Sequence, residues 1–505
     1  MRHVLRCVCL VGVLLPTIAV AQQIPPSPVS YSQLTESEQP AAPKTDETKS
    51  KKPAYDASTI AMGQSSFQNN CTQCHDADKS LQKKKSLHGW RSTIHRMAAK
   101  DGANIPATDF EAIAIYLTAS QGNPADAGTT ATSDAAGADD DEDTSVTTFA
   151  TASPTMRVGN GDVQNRGFFP ETWVGVSFQP KGFVSARATA CLSCHNESGE
   201  GFLSRMEIVE AAIRFDFMQL VEPQCRGSWQ ASIDAGRFVV PFGAFASQVN
   251  PGVYRTVSKP LIYNMGMRVG DESLGYPVLP MPYSDEGANL SFTVPFTDTI
   301  SASWDGYLVN GLQGDADGIN FDTSREYTDN NRSPALGSRL TVGNQYLRFG
   351  SSIMGGRFAS YPYTAPVDSG LTYMVFGADI TARYKDRVRV QFEFAQRNTD
   401  RVVALPGMEF NREAVGGGYL EGELLLSRKH KISAIARYDD QFRQALLPPP
   451  GSPLATGNFT VSRLTYGFNY TLPGGSLLML NHEHWYLPNG LKDMNVLGLR
   501  WAATF

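Results

Sequence analysis

The chain has 505 residues, and its 44 lysines and arginines against 50 aspartates and glutamates leave a net charge of −6. A chain of this length is too long for one ordinary domain. The small net charge says little about partners. We expect no nucleic-acid partner. Beyond residue 21 no run of eighteen apolar residues occurs, which excludes a membrane-spanning helix. A transmembrane barrel is not excluded, because its strands alternate between lipid-facing and lumen-facing side chains.

The first 21 residues have the form of a secretory signal peptide. Arg2 and Arg6 precede an apolar run, and Ala19-Val20-Ala21 has the small-x-small form that signal peptidase cuts. Residues 22–56 are rich in Pro, Ser, Thr, Gln and Lys, which predicts a disordered spacer. We therefore expect the mature protein outside the cytoplasm.

Residues 57–121 contain the first of two haem-attachment motifs, Cys71-Thr-Gln-Cys74-His75. Two thiols at this spacing form thioether bonds with the haem vinyl groups, and the adjacent histidine reaches the iron. A redox disulfide or half of a zinc site would need no histidine directly after the second cysteine. The pattern predicts covalent haem c with Cys71, Cys74 and His75 as its attachment and iron-binding residues.

The flanks of this motif predict helices. One carries Gly63 and Phe67, and the other opens with the capping box Thr108-x-x-Glu111. Two terminal helices around CxxCH resemble a class I cytochrome c, which implies a small all-α domain over residues 57–121.

The sixth iron ligand of this first haem is predicted to be Met97. Leu87, Trp90, Ile94 and Met97 fall at helical spacing on one face, so Met97 would face the haem. His95 and His88 are the next candidates, and Met62 is a more distant one.

Residues 122–160 contain the acidic run Asp139-Asp140-Asp141-Glu142-Asp143 and predict a flexible acidic linker. The second motif, Cys191-Leu-Ser-Cys194-His195, lies in residues 161–205, which we interpret as a plug or a first loop. Its chemistry predicts a second covalent haem c, with His195 on the iron and either no sixth ligand or one among three methionines, Met206, Met265 and Met267. Cys225 has no obvious partner. His482 and His484 share one face of a strand and would meet a lumenal haem if that face points inward.

Residues 206–505 predict an antiparallel transmembrane β-barrel of about 14 to 16 strands. An apolar face alternates with a polar face in residues 387–394, and residues 300–308 and 463–470 repeat the pattern. Short turns alternate with long polar connections, as in outer-membrane barrels. The last strand puts five residues on one face: Leu497, Leu499, Trp501, Ala503 and Phe505.

Two tracings of the barrel fit the sequence. In one, residues 171–179 form the first strand and Cys191 lies in a connection outside the cell. In the other, the first strand is 206–217, residues 259–269 are also a strand, and residues 150–205 enter the lumen from the periplasm. We favour the second, because a haem in the lumen would bridge the two sides. Residues 236–266 are rich in Pro, Gly and aromatics, which an inward-folded loop would explain.

The motifs CTQCH and CLSCH, the alternating strands and the terminal RWAATF resemble the fused cytochrome-porin class of bacterial outer-membrane proteins. Some members of that class oxidise external ferrous iron. The resemblance implies a barrel in the outer membrane with the cytochrome domain in the periplasm. It also implies electron transfer between periplasmic carriers and an extracellular or lumenal donor or acceptor, iron among them, without substrate chemistry of its own. Two haem motifs and an acidic tether depart from the single-motif iron oxidases, which puts iron specificity in doubt.

Two other functions compete with electron transfer. In the first, the barrel is an outer-membrane diffusion porin with an accessory cytochrome, and Arg387, Arg389 and Arg437 line the lumen and attract anions. In the second, the chain is a two-haem peroxidase-like enzyme, which would require one five-coordinate iron.

Overall fold

A computed structural model describes most of the C-terminal two thirds of the chain and part of the N-terminal third. The described residues are 60, 63, 64, 66, 67, 71, 81, 85, 87–98, 109–120, 145–160, 167–169, 171–179, 183–192, 206–217, 229–246, 248, 250–265, 277–297, 299–325, 328–360, 362, 370–385, 387–402, 411–446, 457–472, 475–488 and 491–505.

One sheet contains sixteen antiparallel strands. It is built from eighteen hydrogen-bonded segments. Residues 145–152 and 155–159 count as one strand, and residues 167–169 and 172–179 count as the next. Their pairing continues in the same register across both interruptions, with Ala152 opposite Thr172 and Thr155 opposite Phe169. The strands are β1 (Ser145–Ala152 and Thr155–Gly159), β2 (Gly167–Phe169 and Thr172–Gln179), β3 (Val184–Cys191), β4 (Glu207–Asp216), β5 (Gln230–Val239), β6 (Ser284–Pro295), β7 (Ser301–Val309), β8 (Ala335–Gly343), β9 (Leu347–Ala359), β10 (Leu371–Tyr384), β11 (Val388–Arg401), β12 (Asn411–Ser427), β13 (Ile432–Gln444), β14 (Phe459–Thr471), β15 (Leu477–Tyr486) and β16 (Met494–Thr504).

The sheet closes on itself between its first and last strands. Thr151 lies opposite Thr504 and Thr155 lies opposite Arg500, and their shared register joins both segments of β1 to β16. The carbonyl oxygen of Ala150 also accepts a hydrogen bond from the Phe505 amide at 2.8 Å. Each strand therefore has two hydrogen-bonded neighbours, and the fold is a closed barrel without an open edge.

The outward face of the barrel is apolar and rich in aromatic side chains. On β16, Leu497, Trp501 and Phe505 are exposed, whereas Arg500 and Ala502 between them are buried. The same alternation holds in β11, where Phe392 is exposed and Glu393 is buried. Because a water-soluble barrel would turn its polar side chains outward, this surface is that of a membrane barrel. The predicted alternation in residues 300–308, 387–394 and 463–470 and the predicted apolar face of the last strand are confirmed.

The two ends of the barrel differ in their connections. The turn end holds the start of β1, the terminal Phe505 and mostly short connections: 180–183, 217–229, 296–300, 344–346, 385–387, 428–431 and 472–476. The loop end holds the longer ones: 160–166, 192–206, 240–283, 310–334, 360–370, 402–410, 445–458 and 487–493. The connection 310–334 includes a small hairpin, Gln313–Asp315 with Gly318–Asn320, and a 3-10 turn, Thr323–Arg325. This asymmetry matches the predicted one.

Both predicted tracings of the barrel start too late. The barrel begins at Ser145, so β1 to β3 occupy residues that were predicted as a linker and as a plug. The favoured tracing is wrong for 259–269, whose described residues 259–265 belong to no strand, and it places the residues around Cys191 at the wrong end. Cys191 is the last residue of β3, at the loop end, as in the first tracing.

Two helices are described in the N-terminal third, α1 (Leu87–Ala98) and α2 (Phe110–Ser120). Trp90 and Ile94 of α1 pack with Ile113 and Leu117 of α2 around the buried Phe67. Arg91 and Glu111 join the two helices by an ion pair at 2.6 Å. None of the described helices is long and apolar enough to cross a bilayer.

Candidate functional site in the barrel lumen

The connection between β5 and β6, residues 240–283, folds into the lumen, and we call it the inward connection. Its backbone amides donate to side chains on distant strands. Gly243 donates to Ser352 Oγ on β9 at 3.1 Å, and Val257 donates to Asn481 Oδ1 on β15 at 2.7 Å. The described part of this connection therefore crosses the inner wall from β9 to β15. The prediction that residues 236–266 contain an inward-folded loop is confirmed for this part.

Arginines on the wall hold the backbone carbonyls of the inward connection. Arg463 donates to the Lys259 carbonyl at 2.7 Å, Arg437 donates to the Ser258 carbonyl at 2.9 Å, and Arg500 donates to the Val257 carbonyl at 3.1 Å. On β11, Arg397 donates to the carbonyl of Val278, in the later part of the inward connection, at 2.8 Å. A connection buried in a lumen needs partners for its backbone groups, and these guanidinium groups supply them.

These arginines are neutralised by buried carboxylates. Arg463 pairs with Asp439 at 2.8 Å, and Arg500 pairs with Glu171 at 2.8 Å. Both arginine side chains have no exposed surface. The predicted role of the lumenal arginines in attracting anions is therefore not supported at Arg437, which is also fully buried and pairs with Asp439 at 3.2 Å. Arg389 pairs with Glu421 at 2.8 Å, and Arg387 lies in the turn between β10 and β11.

Glu393 on β11 is a second anchor for the inward connection. It is fully buried and accepts hydrogen bonds from the Tyr263 hydroxyl at 2.5 Å, the Tyr419 hydroxyl at 2.9 Å and the Phe245 amide at 3.0 Å. Gly243 passes so close that a Cβ atom there would lie 1.8 Å from Glu393 Oε1, and its φ of +64° is one that glycine adopts without strain. Two strands, β11 and β12, and two separate parts of the connection, at Phe245 and Tyr263, thus meet at one carboxylate.

The inner wall divides into two arcs. We call the inner faces of β9 to β16, where the inward connection lies against them, the covered arc, and the inner faces of β3 to β7 the open arc. Arg437, Arg463 and Arg500 of the covered arc are 0% exposed. In the open arc, the side chains of Arg187, Glu210 and Arg214 keep 29%, 19% and 30% of their surface exposed. Solvent therefore reaches these three side chains, whereas Asp234, Arg237 and Asp285 on β5 and β6 are buried.

The first haem motif is described at one residue. Cys71 is partly buried and packs against the same apolar cluster as Met97. Cys74, His75 and Met62 lie outside the described residues, as do the side chains of His88 and His95. A cysteine sulfur and a methionine sulfur on one apolar cluster are groups that haem c uses, so the described residues fit haem at this motif.

The second haem motif is also described at one residue, Cys191. Its side chain is 0% exposed, packs with Trp173 and Val209, and is part of a disulfide. A sulfur already in a disulfide offers no thiol to a haem vinyl group, and no exposed surface is left beside it. The described geometry therefore does not fit a thioether at Cys191. Cys194, His195 and Cys225 lie outside the described residues.

The remaining candidate ligands of a second haem lie apart from each other. Met206 is exposed just before β4, and Met265 packs against the main apolar cluster of the lumen. His482 and His484 are on the outward face of β15, where the His482 ring lies 5.1 Å from that of Tyr466. Met267 lies outside the described residues. No group of three or more His, Cys, Asp or Glu side chains that would hold a metal ion occurs in the described part of the chain.

Sequence reasoning missed the partners of the inward connection. Glu393 was assigned to a polar face, but nothing in its neighbourhood indicated that Tyr263 and Phe245 would reach it from a distant segment. The signal that was available is the concentration of arginine and carboxylate on inward positions of β10 to β16, among them Glu393, Arg437, Asp439, Arg463 and Arg500.

The chain matches no family model, and it matches no curated protein. Its structural neighbours are outer-membrane porins. They include OmpT of Vibrio cholerae, at 8% identity and a TM-score of 0.43 over 72% of this chain and 98% of that one. The channel DcaP of Acinetobacter baumannii has 12% identity and a TM-score of 0.45, with 72% and 97% covered. An anion-selective porin from Comamonas acidovorans has 9% identity and a TM-score of 0.48, with 72% and 100% covered. Similarity of this degree does not transfer a function to this chain.

Proposed function

We propose that the chain is an outer-membrane channel through which small polar solutes diffuse along the open arc. The observation that carries this proposal is the contrast between the arcs: solvent reaches Arg187 and Arg214, whereas Arg437 and Arg463 are sealed behind the inward connection. A closed barrel with an apolar outer surface suits a bilayer, and its shorter connections at one end match periplasmic turns. We therefore assign the turn end to the periplasm and the loop end to the outside.

The experiment is cysteine labelling during conductance measurements in planar bilayers. Ser303, on the inner face of β7, is hydrogen-bonded to its register partner Thr293 on the neighbouring strand β6 at 2.9 Å and is partly exposed. We expect Ser303→Cys to lose roughly half of its conductance on reaction with a bulky charged thiol reagent, because the adduct narrows the path. Gln441→Cys, whose parent side chain is 4% exposed on the covered arc, is the matched control. Equal loss in both variants, or no conductance in the unsubstituted protein, would refute the proposal.

Electron transfer is a second candidate function, favoured by Cys71 and Met97 meeting one apolar cluster. We propose that haem c is attached at Cys71 and Cys74 with His75 and Met97 on the iron, and that the helical segment exchanges electrons with periplasmic carriers. When bound, haem supplies one-electron redox chemistry. The chain's own part is to shield it with Phe67, Trp90 and Ile113, all buried. On the same basis we propose that the haem also exchanges electrons with an outer donor or acceptor, iron among them.

Haem counting tests the electron-transfer candidate. We expect one covalent haem per chain, lost in Cys71→Ala and kept in Cys191→Ala, as measured by the pyridine haemochrome assay on the purified full chain. Two haems per chain, one of them lost in Cys191→Ala, would show that the Cys191 disulfide gives way to haem attachment. In that case the conduit through the lumen, with Cys191, Cys194 and His195 holding the second haem, becomes the better proposal. A chain without haem would overturn both versions.

A further inference from the structure

A cluster of five charged side chains lies on four strands of the open arc, β3, β4, β5 and β7. Arg187 Nε donates to Glu210 Oε1 at 2.9 Å, and Arg214 donates to both carboxylate oxygens of Asp234 at 2.9 and 2.8 Å. Arg187 also lies 3.4 Å from Asp234, which links the two pairs. The fifth member, Asp305, accepts a hydrogen bond from Ser291 at 2.6 Å. We call these five residues the open-arc cluster.

The open-arc cluster carries a negative excess. Each of the two arginines forms an ion pair with a carboxylate of the cluster, and this carboxylate neutralises the positive charge of the arginine. Asp305 forms no ion pair among the described residues and bonds only a neutral hydroxyl. Three carboxylates against two guanidinium groups leave one unbalanced negative charge on a partly exposed, inward-facing surface.

The three arginines that hold the inward connection do not offset this excess. Arg437, Arg463 and Arg500 have no exposed surface and are paired with Glu421, Asp439 and Glu171. Lys259 and Arg255 of the inward connection also face carboxylates, Glu171 at 4.0 Å and Glu423 at 3.3 Å. A charge that is buried and paired contributes little to the potential in a water-filled path, whereas a partly exposed one in a confined space acts on every passing ion.

We infer that the open-arc cluster sets the selectivity of the channel, with Asp305 as its main determinant. It favours small cations, and solutes that carry an ammonium group, over anions. This inference rests on the proposed diffusion function. Because both arginines of the cluster are paired, an anionic solute that passes the cluster finds no unpaired guanidinium group there and meets the unbalanced carboxylate of Asp305.

The test measures the reversal potential of the full-length protein in a planar bilayer under a tenfold gradient of potassium chloride. We expect potassium to permeate more readily than chloride, and we expect Asp305→Asn to lower the permeability ratio by roughly twofold or more. Asp317→Asn removes the same charge at an exposed site in the connection 310–334 and serves as the matched control, with an unchanged ratio.

A second measurement guards against a folding defect in the variant. In liposome swelling, lysine should enter faster than glutamate, and Asp305→Asn should reduce the difference while leaving the uptake of a neutral sugar unchanged. Chloride preference in the unsubstituted protein, or an unaltered ratio in Asp305→Asn, would overturn the inference although the channel conducts. Absence of any conductance would instead overturn the proposed diffusion function.

Discussion

The covered and open arcs are made from the same side-chain types and do different work. Both place arginine next to carboxylate on inward strand positions, as with Arg463 beside Asp439 and Arg214 beside Asp234. In the covered arc the guanidinium groups have a second set of partners, the backbone carbonyls of the inward connection. The comparison teaches that an inward arginine stabilises the fold where it donates to backbone carbonyls, and forms part of the solvent-exposed lumen surface where no backbone segment covers it. Residue type alone does not distinguish these roles.

The largest expected effect comes from removing the inward connection. Replacing residues 251–263 by a short Gly-Ser segment takes away the groups that Arg437, Arg463 and Arg500 hold and opens the covered arc to solvent. We expect single-channel conductance to rise by roughly twofold or more, since a barrel of sixteen strands is wide enough for an aqueous lumen. The measurement is conductance in planar bilayers. Unchanged conductance would mean that the open arc and the covered arc do not share one lumen.

The next effect concerns stability. Arg463→Ala leaves Asp439 with a poorer set of partners in a buried site and frees the Lys259 carbonyl, so we expect a loss of about 3 to 5 kcal/mol in the free energy of unfolding. Urea unfolding of the barrel, followed by its altered mobility in detergent gels, measures this loss. Arg412→Ala is the matched control, because the Arg412 side chain is 88% exposed and lies 3.9 Å from Asp400. A similar loss of unfolding free energy in both variants would show that buried arginines bonded to backbone do not differ in stabilisation from exposed ones.

The smallest effect is expected at Glu393. Glu393→Gln keeps the shape of the side chain and one acceptor oxygen, but its amide nitrogen cannot accept a hydrogen bond, so at least one of the donors Tyr263, Tyr419 and Phe245 loses its acceptor. We expect a loss of about 1 to 3 kcal/mol and a connection that is cleaved more readily by added protease. Gln396→Glu changes a side chain on the outward face of the same strand. It serves as the control that shows whether the loss of stability is specific to the lumenal face. No change in Glu393→Gln would show that the apolar contacts alone hold the connection.

The sequence predicted the second half of the barrel well and the first half poorly. In β11 the outward positions carry Val388, Val390, Phe392 and Phe394, so the alternation is visible in the sequence alone. In β3 they carry Val184, Ala186, Ala188 and Ala190, and small side chains on the lipid face give little contrast with the serine and threonine that face the lumen. The strands from Ser145 to Cys191 were therefore interpreted as linker and plug.

The inward connection produced the opposite error. Residues 259–269 contain an apolar run, KPLIYNMGMRV, that was interpreted as a strand. Leu261, Ile262 and Tyr263 are fully buried, but their cover is the lumen wall rather than lipid. Local pattern cannot tell these two surroundings apart, because both remove apolar side chains from water. The partners that decide the matter, Asp439 and Glu393, lie more than a hundred residues away along the chain.

The position of β1 also limits where the helical segment can act. The chain between Ser120 and Ser145 has 24 residues, which reach at most roughly 85 Å even when fully extended. Because β1 starts at the turn end, beside the terminal Phe505, the two helices are held near that rim of the barrel at an effective concentration of about a millimolar. Under the two proposed functions, a carrier that docks weakly on the helices would thereby be brought to the turn end of the barrel, and a solute that leaves the lumen there would enter the space that the helices occupy.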